Sequence, residues 1–214
     1  MKTNSSEKFK SLLKGKYISH IHTNYTDGNN TVDDYCRWAE IHRYKGVVFT
    51  EHVRKDLDYD FGKFAKEVEE ARQKFPTLEI WLGVEAKILP NGDLDIPEFL
   101  PGLQVVCIAC HSFPVDVSLY QKTLKRVFKD SRWKGYVRIW AHPGEFLQKH
   151  NLLEQEEKLL EELAEAAVKE GIFIEKNFKY KLPPIQIISN IPEENMTTGS
   201  DAHSLTDLEN RLLK

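Results

Sequence analysis

The chain alternates short apolar runs with longer segments of helical periodicity, and this alternation restricts its fold more than any other feature. Predicted strands cover residues 17–22, 47–50, 78–85, 105–109, 136–141 and 172–175, with weaker strand patterns at 185–188 and 196–198. Predicted helices begin after Thr31, at Phe61, near Ser118 and after Asn151, and a last one runs from Leu205 to Leu213. Parallel strands need crossover connections, so the alternation predicts an α/β fold with a parallel sheet.

Side chains of metal-binding type recur where the predicted strands end. They are His20, His22, Asp27, His52, Glu85, His111, His142, Asp201 and His203. The C-terminal ends of the strands meet at one end of a β/α barrel, so this recurrence favours a closed sheet. Imidazole and carboxylate ligands without thiolate suit divalent zinc, iron or manganese. Strand alternation places Ile18, His20 and His22 on one face and aims both rings the same way.

A structural explanation exists for each of these residues taken alone. Histidines in strands often only bond carbonyl groups, Asp201 would serve as an N-cap, and Glu85 would pair with Lys87. Taken together, these explanations require six of the eight histidines to fall at strand ends by chance. The set therefore indicates a common site. The remaining histidines, His42 and His150, lie on or beside predicted helices and are predicted to be structural.

Six short motifs contain the nine residues, and their order is informative. They are His20-Ile-His22-Thr with Asp27-Gly28, Thr50-Glu51-His52, Gly83-Val-Glu85, His111-Ser112, Ala141-His142-Pro143-Gly144 and Gly199-Ser-Asp201-Ala-His203-Ser204. Through them the chain resembles the polymerase-and-histidinol-phosphatase (PHP) family of metal-dependent phosphoesterases over nearly its whole length. The resemblance implies a distorted (β/α)7 barrel with a trinuclear metal centre. The length of 214 residues and the lack of a linker predict that residues 1–214 form a single domain of this kind.

The resemblance also implies how three divalent ions, zinc, manganese or iron, share their ligands. The first metal would bind His20, His22, Glu85 and Asp201, the second would share Glu85 and add His111 and His142, and the third would bind Asp27, His52 and His203. No position of the family's ligand pattern is missing from this sequence. We therefore expect an enzyme that hydrolyses phosphoric esters.

The expected chemistry is attack by an activated water on a phosphomonoester. Two cations bridged by Glu85 would hold a hydroxide, because coordination lowers the pKa of water from about 15.7 towards about 7. Asp201 is the candidate for orienting this water and moving its proton, and His203 is the alternative. Arg54 and Lys87 are candidates for binding the substrate phosphate, and a solvated surface cation is the competing interpretation of each.

Four further residues are interpreted from their place in the predicted barrel. Glu175 and Asn177 share one face of a strand end and are predicted to orient ligand imidazoles, with a loop cap as the alternative. Cys107 is predicted to lie in the core and Cys110 in the wall. These two cysteines have C-x-x-C spacing, but the chain has only three cysteines, so a four-cysteine zinc site is excluded.

Composition argues against several other classes of protein. The net charge of −3 and the pI of about 6.3 show no basic excess of the kind that nucleic-acid binding by bulk electrostatics needs. No apolar run approaches the roughly 18 residues that suggest a membrane span, and the start MKTNSSEKFK lacks a signal-peptide core. We therefore expect a cytoplasmic protein with reduced cysteines. The sequence leaves its oligomeric state open.

The favoured function is hydrolysis of a small phosphorylated metabolite, such as a histidinol-phosphate-like compound, a sugar phosphate or a nucleotide. Three alternatives stay open: a nuclease or exonuclease, a protein-tyrosine phosphatase of the same family, and a non-catalytic, metal-stabilised binding domain. The lack of basic bias counts against the nuclease. The presence of all nine ligand positions counts against the binding domain.

Overall fold

Seven strands form one parallel sheet in the computed structural model, which describes residues 5–212. The strands are β1 (Tyr17–Ile21), β2 (Gly46–Val53), β3 (Glu79–Lys87), β4 (Val105–Ala109), β5 (Val137–Trp140), β6 (Phe173–Asn177) and β7 (Met196–Gly199). Every pair of neighbours is parallel, and the order across the sheet equals the order along the chain. This connectivity is that of a barrel, because a doubly wound sheet reverses its strand order.

The sheet curls until β7 meets β1. The amide of Ser200 donates to the carbonyl of Ser19 at 2.9 Å, and the amide of His22 donates to the carbonyl of Ala202 at 2.9 Å. A parallel bridge between Ile21 and Ala202 continues this seam. The barrel is therefore nearly closed, and the predicted distorted barrel of seven strands is confirmed.

Helices connect the strands and cover the barrel. They are α1 (Ser5–Leu13), α2 (Val32–Ile41), α3 (Phe61–Lys74), α4 (Val117–Lys129), α5 (Glu145–Lys149), α6 (Glu157–Lys169), α7 (Ile185–Ser189) and α8 (Leu205–Leu212). Thr31 caps α2, as predicted: its hydroxyl accepts from the amide of Asp34 at 3.1 Å, and the Asp34 carboxylate accepts from the amide of Thr31 at 2.9 Å. Pro76 follows the end of α3, where a helix cannot continue.

Some predicted elements differ from the structure. The predicted strand at residues 185–188 is wrong, because these residues form α7; a short apolar run does not distinguish a strand from a helical turn. The helix predicted after Asn151 begins only at Glu157, and Asn151 lies in a turn with φ of 56°. Helices α1 and α5 were not predicted. Leu213, the predicted end of the last helix, lies outside the described residues.

Strand β1 contains an irregularity that alternation does not predict. His20 has a left-handed φ of 59°, and the register with β2 shifts between Ser19 and Ile21, so His20 is an extra residue in a β-bulge. Ile18 packs in the outer core with the helices, whereas His20 and His22 lie in the metal-type cluster described below. The prediction that Ile18 shares their face is therefore wrong, because the bulge interrupts the two-residue period.

A separate apolar cluster fills the barrel at the end where the strands begin. Phe9 of α1 is fully buried there, with its ring centroid 5.2 Å from those of both Trp81 and Phe173. Cys107 belongs to this inner cluster, as predicted, while Cys110 is buried in the outer core. Helix α1 thus plugs one end of the barrel, and the polar strand ends lie at the other.

We expect Phe9→Ala to lower the free energy of unfolding by about 3–5 kcal/mol, because it leaves a cavity between two aromatic rings. Chemical denaturation followed by tryptophan fluorescence measures the change. Phe99→Ala is the matched control, since Phe99 is 76% exposed and its loss should cost less than about 0.5 kcal/mol. Equal unfolding midpoints for the two variants would contradict the role of α1 as a plug.

Candidate metal centre

The carboxylate of Glu85, at the inner end of the site, is surrounded by imidazoles. Glu85 lies on β3 and is only 1% exposed. Five ring nitrogens lie 2.8 to 3.7 Å from its oxygens, and they belong to His20, His22, His52, His111 and His142. These histidines come from β1, β2 and the segments that follow β1, β4 and β5, so the parallel barrel brings together residues distant in sequence.

Asp27 and Asp201 complete the cluster towards solvent. One Asp27 oxygen lies 3.4 Å from Nε2 of His52 and 3.3 Å from Nε2 of His203. Asp201 Oδ1 lies 3.6 Å from both Nε2 of His22 and Nδ1 of His203. The structure therefore places all nine predicted side chains in one cluster. Their assignment to individual metal ions stays a prediction.

Several buried nitrogen and oxygen atoms that could ligate a metal in this cluster have no hydrogen-bond partner in residues 5–212. They are Nε2 of His20, both ring nitrogens of His22, Nδ1 of His52, Nε2 of His111 and Oε2 of Glu85. Buried polar atoms without partners are rare in folded proteins because leaving them unpaired costs free energy. Groups of three or four ligand atoms lie within 4.8 Å of one another. This donor set fits divalent cations, which accept such lone pairs.

Burial and opposed charges shift the ionisation of the inner residues. Burial disfavours the charged form of Glu85, but the neighbouring imidazoles of His20, His111 and His142 outweigh it and hold the pKa of Glu85 well below the usual range. Burial likewise disfavours protonated His142, yet the carboxylates of Glu145 and Glu85 raise its pKa to about 10. For His22, burial dominates and lowers the pKa, which favours the neutral imidazole that metals bind.

Glu175, on β6, holds two of the histidine segments from behind. One of its oxygens lies 2.5 Å from Nδ1 of His20, and the other accepts from the amide of His142 at 2.6 Å. Asn177 donates to Glu175 at 3.1 Å, so it supports the imidazoles through Glu175. A side chain at Gly199 would collide with this carboxylate, since its Cβ would lie 1.8 Å from an oxygen of Glu175. These contacts agree with the predicted orienting role.

Three ligand candidates lie on left-handed backbone. His20, His142 and Asp201 have φ values of 59°, 31° and 46°. Each lies at the end of a strand or just beyond it. Residues other than glycine adopt such angles at a cost, and they persist where the surrounding structure fixes them.

Two buried carboxylates of the site were not predicted. Glu145 is 1% exposed, and its oxygens lie 2.9 Å from Nδ1 of His142 and 2.6 Å from Nζ of Lys149. Its position three residues after His142 would indicate a contact with that histidine in a helix, but the sequence pattern does not predict the short helix α5. Glu51 accepts from the amide of Thr23 at 2.6 Å and so secures the loop that carries Asp27.

Four further residues from the sequence analysis make no hydrogen bond or ion pair with the nine ligand candidates in residues 5–212. Arg54 and Lys87 flank Asp95, with nitrogen to Oδ2 distances of 3.8 and 3.9 Å. Their role in binding substrate phosphate stays a prediction. His42 and His150 pack against aromatic rings of their own helices, in agreement with a structural role.

The barrel and its donor set define the class of this protein, which is a metal-dependent phosphoesterase. The chain belongs to the PHP domain family, whose model matches residues 19–178. Both the predicted family and the predicted hydrolase activity are thereby confirmed. The matched segment ends before Asp201 and His203, which the structure brings to the same cluster.

Solved structures show the same fold. A histidinol phosphate phosphatase from Lactococcus lactis subsp. lactis Il1403, complexed with zinc, L-histidinol and phosphate, is similar with a TM-score of 0.66 and 16% identity over 92% of both chains. An amidohydrolase II structure has a TM-score of 0.45 and 12% identity over 87% of this chain and 86% of its own. That second likeness is too weak to support an argument. A comparison with curated proteins finds no match.

Replacing Glu175 with Gln should weaken metal binding by about 10- to 100-fold, because His20 loses the charge that orients and polarises its ring. Competition with a chelator of known affinity measures the change. Glu165→Gln is the matched control, since Glu165 is exposed on α6. If both variants bound metal as tightly as the wild type, Glu175 would have no orienting role.

Metal binding at neutral pH should release protons. Neighbouring carboxylates raise the pKa of His142 to about 10 and also raise that of His20, which favours the protonated rings in the metal-free protein, whereas a metal binds neutral imidazole. Affinity should therefore rise with pH. Calorimetric titration with zinc in buffers of different ionisation enthalpy should give heats that depend on the buffer; identical heats would contradict this expectation.

Proposed function

We propose that this protein hydrolyses phosphomonoesters of small metabolites at a centre of three divalent ions. The observation that carries the proposal is the convergence of nine ligand-type side chains, six imidazoles and three carboxylates, from segments spread between residues 20 and 203. A similar fold with bound zinc, L-histidinol and phosphate supports a small phosphorylated substrate. Histidinol-phosphate-like compounds, sugar phosphates and nucleotides are the candidates.

Glu85 is well placed to hold two cations in common. Its Oε1 faces His20, His111 and His142, while its Oε2 faces His22 and His52. Each oxygen therefore has its own set of imidazole neighbours. When bound, the divalent ions would supply positive charge for the phosphate oxygens and lower the pKa of a coordinated water from about 15.7 towards about 7.

Asp201 is the residue that we propose orients the attacking water and accepts its proton. Its Oδ1 faces His22 and His203, and its Oδ2 lies 3.3 Å from Nζ of Lys179. A carboxylate at this place is within reach of the ligand cluster and is a candidate general base. His203 is the alternative for this step, because it is part-exposed beside the same carboxylate. Lys179 was not predicted from the sequence.

We also retain two broader proposals: residues 1–214 form a single PHP domain, and the protein is cytoplasmic. The single seven-stranded sheet supports the first. None of the helices in residues 5–212 has both the length and the apolar character of a bilayer-crossing segment. Absence of a basic excess favours a metabolite over nucleic acid as the substrate.

Metal analysis combined with turnover assays separates these functions. We expect three metal ions per chain and hydrolysis of p-nitrophenyl phosphate, with manganese, iron and zinc each supplied in turn. A nuclease would instead cleave a labelled oligonucleotide, and a protein-tyrosine phosphatase would prefer a phosphotyrosine peptide. A fully metallated protein that cleaves none of these would contradict the proposal and favour the binding domain.

Glu85→Ala should lower kcat/KM for p-nitrophenyl phosphate by roughly a thousandfold or more, since the charge that holds the inner cations together is lost. Steady-state kinetics and metal content should be measured on the same preparation. Glu79→Ala is the control, because Glu79 lies at the opposite end of the same strand and should keep near-normal activity. Near-normal rates for Glu85→Ala would count decisively against its bridging role.

A further inference from the structure

A cavity of about 520 Å³ opens beside the metal centre. Its walls come from the segment after β6 and from α8, and its lining includes Asp201, a residue of the ligand cluster. This volume falls in the range of small-molecule sites. A substrate with its ester phosphate at the metal ions would therefore place its leaving group in this space.

The cavity carries more positive charge than its own carboxylates neutralise. Lys179 pairs with Asp201, and the Asp207 carboxylate accepts from the amides of His203 and Ser204, each at 2.9 Å. Asp207 thus caps the start of α8. Both acidic groups of the lining are committed to neighbouring protein groups.

The other two cations of the lining have no carboxylate partner in residues 5–212. Arg211 donates to the Ser200 hydroxyl at 2.7 Å, and its guanidinium lies 3.9 Å from the centroid of the Phe178 ring. Lys181 is exposed and makes neither a hydrogen bond nor an ion pair with the described residues. Two cations of the cavity lining, of which Arg211 lies over an aromatic face, therefore remain available to a ligand.

The segment that carries Lys181 is held in place before any ligand binds. Asn177 and Leu182 exchange two backbone hydrogen bonds of 2.7 and 3.2 Å, and the Asn177 side chain accepts from the amide of Tyr180 at 3.0 Å. The amide of Phe178 donates to the carbonyl of Gly199 at 3.0 Å. A preorganised segment loses little conformational entropy on binding.

We propose that the leaving group of the substrate carries a second anionic group, a carboxylate or a phosphate, which Lys181 and Arg211 bind. Phe178 would cover the carbon skeleton between this group and the ester. The inference rests on the proposed phosphomonoesterase function and narrows its substrate class. It disfavours a cationic leaving group such as histidinol, whose amine would face two cations.

Three aryl phosphates with similar phenol leaving groups test this inference. They are 4-methylphenyl phosphate, 4-(carboxymethyl)phenyl phosphate and 4-(aminomethyl)phenyl phosphate. In the last two, a methylene separates the charged group from the ring. We expect the wild type to prefer the carboxylate over the methyl compound in kcat/KM by about tenfold, which is the size of one charge-assisted contact. The amine compound should be the poorest substrate.

Lys181→Glu should abolish the preference for the carboxylate, mainly through KM, and leave turnover of the methyl compound within about twofold. Because Lys181 is exposed and unpaired, this substitution should not impair folding. Lys158→Glu is the matched control, since it makes the same charge change on the exposed surface of α6, outside the cavity. It should retain the wild-type preference.

Binding of the corresponding benzylphosphonates provides a readout that does not depend on turnover. The wild type should bind the carboxymethyl phosphonate about tenfold more tightly than the methyl one, and Lys181→Glu should remove the difference. Hydrolysis of 4-methylphenyl phosphate without any preference for the carboxymethyl compound would overturn the second anion site alone. Failure to hydrolyse any ester would overturn the proposed function, and equal phosphonate affinities would then overturn the second site as well.

Discussion

The arrangement of the site depends on one buried carboxylate, that of Glu85, facing five imidazoles. A charge buried without compensation is expensive, and so are ring nitrogens buried without partners. In the cluster the carboxylate and the imidazoles offset part of this cost, which lowers the pKa of Glu85 and raises that of His142, while several ring nitrogens keep no hydrogen-bond partner in residues 5–212. The geometry is thus suited to exchanging protons for metal ions, because both satisfy the same lone pairs.

The apolar core inside the barrel and the metal-type cluster lie at opposite ends of the barrel axis. At one end, Phe9 and the inward side chains of the strands pack into an apolar cluster. At the other end, the same inward positions carry ligand atoms, as in β3, where Trp81 lies in the inner cluster and Glu85 in the metal-type cluster. Packing in the apolar half can offset the free energy that the polar half loses by burying imidazoles and carboxylates close together. The fold can therefore tolerate a crowded polar rim.

Much of the fold and of the ligand cluster was predictable, because parallel strands end at one rim and side chains at those ends must meet. That rule needs only the alternation of elements, so His52, Glu85 and His111 could be placed together without coordinates. The bulge at His20 was not predictable, because the left-handed φ of this residue does not show in the pattern of apolar and polar residues. Glu145 was missed because a helix of five residues is too short to show an amphipathic pattern.

Two lysines of the cavity wall were not predicted, for a different reason. Lys179 and Lys181 belong to a segment without regular periodicity, which is held by hydrogen bonds of Asn177 and Phe178. This segment brings Lys179 beside Asp201 and Lys181 into the lining of the same cavity. Side chains on such segments are positioned by local contacts that pattern alone does not reveal.

The left-handed backbone at His20, His142 and Asp201 has a consequence for how this rim can evolve. Glycine is the residue that such angles accommodate most easily, so a drift to glycine at these positions would relax the main chain while deleting a metal donor. A descendant that lost catalysis could thereby become sturdier than its active ancestor. Selection for turnover then retains metal-ligating side chains at these three positions, although the backbone conformation there favours glycine.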